Sequence, residues 1–373
     1  MVTVSEQVPL SGYTTLRLGG PARRLVEAAT EAEIVAEVAA ADARGEPVLV
    51  LGGGSNLVIA DEGFPGTVIR IASRGVHREP GPDGGAGVTV AAGEDWDALV
   101  AACVADGLSG LECLSGIPGL TGATPIQNVG AYGQEVAGVI TGVRAYDRQR
   151  ADVVSLTAAD CGFGYRTSAF KKQAQAAAGP FAGITGRFVV LAVTFRLARS
   201  PLSQPVRYRE LATRLGVPEG GRAPLGAVRE TVLGLRRGKG MVLDPADPDT
   251  RSAGSFFTNP VLDQAQFACL AERVAASRGE GTRIPQFPAA DGQVKVSAAW
   301  LIEQAGFGKG HRGPDGARIS AKHSLALTNP GGASTAALLA LAREVRDGVR
   351  RTFGVELTPE PVLVGTGLGQ AGS

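Results

Sequence analysis

Residues 111–135, LECLSGIPGLTGATPIQNVGAYGQE, constrain the fold more than any other stretch. Glycine recurs at 116, 119, 122, 130 and 133, and neither helical nor strand periodicity persists. So long a segment without regular structure is uncommon inside a compact domain unless it binds something. Glycine lets main chain come close to a flat or charged ligand, because no Cβ intervenes. The side chains between them, Ser115, Thr121, Thr124, Gln127 and Asn128, are neutral donors and acceptors. That set suits a polar heteroaromatic ring or a pyrophosphate; the plainer alternative is an ordinary surface loop.

A second informative stretch, PVLVLGGGSNLVIA, runs from 47 to 60. A dinucleotide fingerprint requires a strand, then GxGxxG, then a helix. Here the glycine spacing is wrong and the segment that follows is apolar and β-prone, which disfavours a Rossmann site. Strand, nest and strand remain: the successive N–H groups of Gly53, Gly54, Ser55 and Asn56 can cup an anionic oxygen. A plain turn is the alternative.

Several function classes are excluded by composition. Lys and Arg total 37 against 36 Asp and Glu, with no basic block, so nucleic acid is not an expected partner. No apolar run approaches the roughly 18 residues of a membrane span, and the N-terminal sequence lacks the basic and apolar regions of a secretory signal. Three scattered histidines and four cysteines without CxxC spacing (Cys103, Cys113, Cys161, Cys269) argue against a metal site and for reduced thiols in a cytoplasmic protein. The 373 residues suffice for two or three domains.

Helices are expected at 30–45, where Thr30 and Glu33 form a capping box, at 95–107, and in a capped turn from Thr157 to Asp160. The strands TVIRIA and GVTVAAG flank a GPDGGAG turn and are expected to pair as a hairpin. RFVVLAVTFRLA, 187–198, is the clearest buried strand. Residues 199–225 are rich in Pro and Gly and read as a mobile connection between domains. The last third reads as a separate α/β unit, with helices at 263–278, 297–305 and 334–352 and short strands at 293–296, 324–328 and 361–364. Beyond Gly365 a frayed tail is expected.

Six motifs then occur in order: GGGSN at 52, SGIPG at 115, PIQNVGAYG at 125, FGYR at 163, AGSFFTNP at 253 and LTPEP at 357. Together they resemble the UDP-N-acetylenolpyruvoylglucosamine reductases (UDP-N-acetylmuramate dehydrogenases), flavoenzymes of peptidoglycan precursor synthesis, from about Thr14 to Gly365. The resemblance implies an α+β chain: a two-lobed FAD-binding fold of the vanillyl-alcohol-oxidase type and a C-terminal α/β substrate-binding domain. The lobes would span 1–74 and 75–244, the substrate domain 245–365, and a flexible tail 366–373. It further implies non-covalent FAD, NADPH as hydride donor, a UDP-sugar substrate and no metal, in a monomer.

By motif, Gly52, Gly53, Gly54, Ser55 and Asn56 would hold the FAD pyrophosphate, together with Ser115, Gly116, Ile117, Pro118, Gly119 and Gly122. Gln127, Asn128, Gly130 and Ala131 would lie beside the isoalloxazine. PVRYREL at 205 resembles the extra loop of a subgroup that sets a tyrosine, here Tyr208, over the substrate diphosphate, with Lys239 as a second ligand. Reducing an enolpyruvyl ether requires hydride at C3 and a proton at C2; Arg166 would grip the carboxylate, Glu360 polarise the developing enolate, and Ser255 supply the proton. Tyr165, Asn259 and Lys295 would line the pocket. His323 stands where the family has a substrate-lining glutamine or histidine, and the glycine-rich 306–322 carries no distinctive motif.

Overall fold

The strand Phe188–Arg199 is the axis of the first part of the molecule. Its apolar run lies inside an antiparallel sheet, with Ile140–Asp147 and then Asp152–Thr157 on one side and Ala86–Ala91 and then Val76–Pro80 on the other. The computed structural model describes residues 2–81, 84–176 and 183–369. It divides the chain into two units, the first of residues 1–13, 21–55 and 63–243, the second of 14–20, 56–62 and 244–373.

A second sheet of the first unit has the order Thr3–Pro9, Pro21–Ala28, Phe64–Ile71, Val48–Leu51, and its last three strands are parallel. Helix α1 (Glu31–Ala43) follows Pro21–Ala28. Thr30 caps it by accepting the Glu33 N–H, and the Glu33 carboxylate accepts the Ala29 N–H, one position before the main-chain donor that a capping box would use. Ile34 and Val38 of α1 share a core with Trp96, Leu99 and Cys103 of α2 (Trp96–Ala105) and with Val193 and Phe195.

The expected hairpin has a different partner. The strand before the glycine turn is Val76–Pro80, whereas Phe64–Ile71 runs in the other sheet; residues 82–83 of the turn lie outside the described residues. Phe64–Ile71 is buried along most of its length and belongs in a sheet centre, while Val76–Pro80 is exposed throughout and forms an edge. Thr157 and Asp160 make no helix: the Asp160 carboxylate accepts the Thr157 N–H and hydroxyl where Asp152–Thr157 ends. A short helix, α3 (Ala169–Gln175), lies further on, capped by Ser168.

Residues 199–225 do not form a loose connection. They lead through α4 (Arg209–Leu215) to α5 (Leu225–Gly238) and bury Val206 and Leu211 against Val228 and Val232. The Pro and Gly residues that suggested mobility are terminators, Gly216 at φ 68° closing α4 and Pro224 opening α5.

In the second unit, α6 (Gln264–Arg278) starts from a full capping box, Asp263 with Gln266. α7 (Ala298–Gln304) and α8 (Thr335–Phe353) follow, and α8 buries Leu338, Leu341, Val345, Val349 and Phe353 on one face. The strand Val362–Val364 pairs in parallel with Leu57–Ile59. Past Gly365, Arg343 and Arg346 of α8 donate to the carbonyls of Gly367, Leu368 and Gly369, so described residues expected to fray are held. Residues 370–373 lie outside the description. Among the described residues no helix is long and apolar enough to cross a membrane, and no cluster of His, Cys, Asp or Glu fits a metal ion.

All four cysteines are unpaired; Cys103, Cys113 and Cys161 are buried and Cys269 is exposed. Burial pushes the three thiols up to about 11, 12 and 11, leaving little thiolate at neutral pH. One thiol is therefore expected to react rapidly with an aromatic disulfide reagent in native protein, and all four in denaturant. Two or more fast thiols in the native protein would contradict this burial.

Candidate active site

In the first unit the two glycine loops lie main chain against main chain. A side-chain carbon on Gly53 would stand 2.7 Å from the Gly119 Cα, and one on Gly119 2.8 Å from the Ser55 Oγ. Ser55 fastens the pair by donating its hydroxyl to the Pro118 carbonyl at 3.0 Å. Gly119 has φ 119°, where only glycine rests without strain. The GGGSN stretch crosses a boundary, since Gly52, Gly53, Gly54 and Ser55 belong to the first unit and Asn56 to the second. Gly122 packs on Ala92, its absent Cβ 2.5 Å from the Ala92 Cβ.

Helix α2 supplies the electrostatic anchor. The Asp97 carboxylate accepts the Gly116 N–H at 2.6 Å and is gripped by both terminal nitrogens of Arg229 at 2.6 and 2.9 Å. Burial would raise its pKa, but the Arg229 fork and the Gly116 bond outweigh that, and the group titrates below the usual range. Arg236 lies beside the same loop. Its Nε is buried without a hydrogen-bond partner, and burial lowers the guanidinium to about 10. A buried cationic N–H beside a glycine cradle fits an anionic group such as a pyrophosphate.

The Ser115 hydroxyl is engaged by the Glu112 carbonyl at 2.7 Å. Asn128, almost fully buried, donates to Glu135 and Gly164 and accepts from Ala137, so its amide holds the loop. Gln127 accepts from Lys171 Nζ at 2.9 Å, and the same ammonium donates to the Arg166 carbonyl at 3.1 Å. Arg166 has φ 51°, and its Nη2 donates to the Gly130 carbonyl at 2.7 Å. The FGYR arginine is thus seated on the QNVGA loop, its guanidinium carbon 5.8 Å from the centre of the Tyr165 ring.

A third group gathers around Tyr208, whose ring meets Tyr132 edge-on at 5.3 Å. The Lys239 Nζ lies 5.7 Å from the Tyr132 ring and 2.8 Å from a Glu210 oxygen, and these two charged residues line a groove of about 500 Å³ between α4 and α5. Burial works against the Lys239 charge, but the Glu210 bond prevails and its pKa rises. Tyr132 lies inside PIQNVGAYG without an expected role, and Arg236 lies outside every motif. An aromatic beside Gly133 in a glycine loop, and an arginine three positions before Lys239, were the available signals.

In the second unit Ser255 and Glu360 are joined through Phe256, whose carbonyl accepts the Glu360 N–H at 2.8 Å. Phe256 and Phe257 are almost completely buried, and Phe257 bridges to Pro359, so both residues sit on fixed backbone. The Phe256 N–H donates to Leu325, next to His323, whose Nδ1 accepts the Leu325 N–H at 3.1 Å. The Asn56 side chain reaches the Glu360 carbonyl at 3.5 Å. Asn259 is turned to α7, accepting the Ala298 N–H at 2.9 Å, and Lys295 lies 6.0 Å from the Phe287 ring. Arg166 belongs to the first unit, Ser255 and Glu360 to the second.

Two glycine loops packed together, with a buried arginine N–H beside them, form the kind of cradle that nucleotide-cofactor proteins use for an anionic group. An FAD binding domain model matches residues 22–157, and a model of the UDP-N-acetylenolpyruvoylglucosamine reductase C-terminal domain matches 245–364. The chain belongs to the UDP-N-acetylenolpyruvoylglucosamine reductase family. A reductase of that name from Thermobifida fusca is 56% identical over 98% of this chain and 99% of its own length. One from Salinispora arenicola is 58% identical, covering 96% of this chain and 95% of that protein. The crystal structure of UDP-N-acetylenolpyruvylglucosamine reductase (MurB) from Thermus caldophilus superposes with a TM-score of 0.62 at 26% identity, covering 98% and 99% of the two chains.

Proposed function

We propose that this chain is an NADPH-dependent flavoenzyme that reduces the enolpyruvyl ether of UDP-N-acetylglucosamine-enolpyruvate to UDP-N-acetylmuramate. The observation that carries the reading is the 56% identity to a named reductase over nearly the full length of both chains. The chain would hold FAD non-covalently, and that cofactor would supply the hydride chemistry between NADPH and C3 of the ether. Its pyrophosphate would lie against Gly52–Ser55 and Ser115–Gly119, with the Arg236 N–H supplying positive charge. Gln127, Gly130 and Ala131 would face the ring, Asn128 serving through the loop it holds.

The protein's own chemistry is polarisation and proton delivery. Arg166, whose guanidinium is seated on the Gly130 and Asn128 carbonyls, would bind the substrate carboxylate. Glu360 would polarise the developing enolate, and Ser255 would donate the proton at C2. Tyr208 and Lys239 would bind the diphosphate, as in the subgroup with the extra tyrosine loop, and Tyr165, Asn259, Lys295 and His323 would line the pocket. We assign residues 1–74 and 75–244 to the two FAD lobes and 245–365 to the substrate domain. A cytoplasmic monomer with no nucleic-acid partner completes the reading.

The visible spectrum tests it. Purified protein should show flavin bands, bleach on anaerobic addition of NADPH, and recover on addition of the enolpyruvyl substrate. The colour should leave with the supernatant after acid precipitation. Colourless protein that no FAD restores would point to a nucleotide-sugar binder. Recovery only with oxygen, releasing peroxide, would point to an oxidase.

A further inference from the structure

We propose that Glu112 is a positioning residue whose carboxylate clamps together the backbone segments carrying Tyr132 and Tyr208, and so sets affinity for the diphosphate end of the substrate. The proposal rests on the functional reading above, which places Tyr208 and Lys239 at that end.

Glu112 is completely buried. A carboxylate in such a place is tolerated only when hydrogen bonds replace its water. One oxygen accepts the Gly110 N–H at 2.6 Å. The other accepts two donors, the Gln204 N–H at 2.7 Å and the Gln134 amide at 3.0 Å. Both glutamines are fixed again beyond it, Gln134 by the Cys113 N–H and Gln204 by the Ser109 hydroxyl.

The placement of these donors gives the carboxylate its role. Gln134 opens the second strand of the small hairpin formed by Gly130–Ala131 and Gln134–Glu135, and Tyr132 is in its turn. Gln204 lies on the approach to α4, whose N-cap is Tyr208. A single oxygen therefore ties down both segments whose rings meet at 5.3 Å. A carboxylate that served only its own turn would need Gly110 alone; the bond to Gln204 spans 92 positions of chain.

Glu112→Gln preserves shape but turns one oxygen into a donor that faces another donor. The Michaelis constant for the enolpyruvyl substrate is expected to rise about tenfold, a loss on the scale of one hydrogen bond to a charged group. Flavin content and the rate of flavin reduction by NADPH should not change. In a Tyr208→Ala background the same substitution should add less than about twofold, because residues acting through one contact are not additive. Equal increases in both backgrounds, or a native constant in folded Glu112→Gln protein, overturn the proposal. If Glu112→Gln does not fold, Gln134→Met removes the Tyr132 arm together with the Cys113 N–H bond while leaving the Gln204 arm, and the same cycle decides. Amide hydrogen exchange of substrate-free protein reads the clamp without an activity assay. Residues 203–212 should exchange faster in Glu112→Gln while 188–199 stay protected; unchanged exchange refutes the clamp. Faster exchange in a protein that turns over no enolpyruvyl ether keeps the clamp and places the failure in the enzymatic reading.

Discussion

Ser255→Ala is expected to slow the return of flavin colour on adding enolpyruvyl substrate by about 10²–10⁴-fold, the usual contribution of a positioned general acid. Bleaching by NADPH should keep its native rate, since hydride reaches the flavin before any proton is needed at C2. The expectation draws on the fixed geometry around Ser255: the two following phenylalanines are buried, and the Phe256 carbonyl holds the Glu360 N–H. Removing one hydroxyl from such a site changes chemistry without moving the backbone. Stopped-flow absorbance under anaerobic conditions follows both phases. Normal bleaching with a stalled return supports the assignment, equal slowing of both points to a displaced flavin, and a normal return removes Ser255 from the mechanism.

Gly53→Ala is the second large expected effect, this time on cofactor retention. The added methyl would stand 2.7 Å from the Gly119 Cα, where main chain must move to admit it. Overpacking of this kind costs about 1–3 kcal/mol. If the strain falls on the cradle, FAD affinity should drop about 5- to 150-fold at 1.4 kcal/mol per tenfold. Gly226→Ala is the control, because no atom lies within 4 Å of the new methyl in α5. The ratio of flavin to protein after dialysis, with fluorescence titration of the apoprotein, gives the answer. Native FAD affinity in Gly53→Ala protein would show that these loops do not hold the pyrophosphate.

The elements legible in the sequence were those with one strong local signal. α8 shows its buried face at Leu338, Leu341, Val345, Val349 and Phe353, and Phe188–Arg199 is too apolar to lie anywhere but inside. α5 is hard to read from sequence because its apolar positions are interspersed with Arg, Glu and Gly behind a Pro-rich approach. The partner in the hairpin is not legible locally, because pairing depends on which strand the rest of the sheet leaves exposed. At the site, GGGSN and SGIPG were visible as glycine loops, while their packing against each other depends on residues 66 apart. That the Asn128 amide also holds its own loop is not legible locally, because its partners lie at 135, 137 and 164. Glu112 reads as an ordinary surface charge for the same reason, its partners lying at 110, 134 and 204.

Two N-terminal segments, 14–20 and 56–62, complete the second unit. Val362–Val364 pairs with Leu57–Ile59, Asp61 accepts the N–H groups of Thr335 and Ala336 that open α8, and Asn329 donates to the Leu16 carbonyl 313 positions away. During synthesis these early segments leave the ribosome long before their partners exist. Loop-closure entropy and exposed apolar surface weigh on the chain through that interval. The first unit has all of its residues once Leu243 has emerged, whereas the second waits for the final strand. A gene fragment cut at the boundaries of the C-terminal domain would therefore encode a unit missing a strand, a helix cap and part of its core.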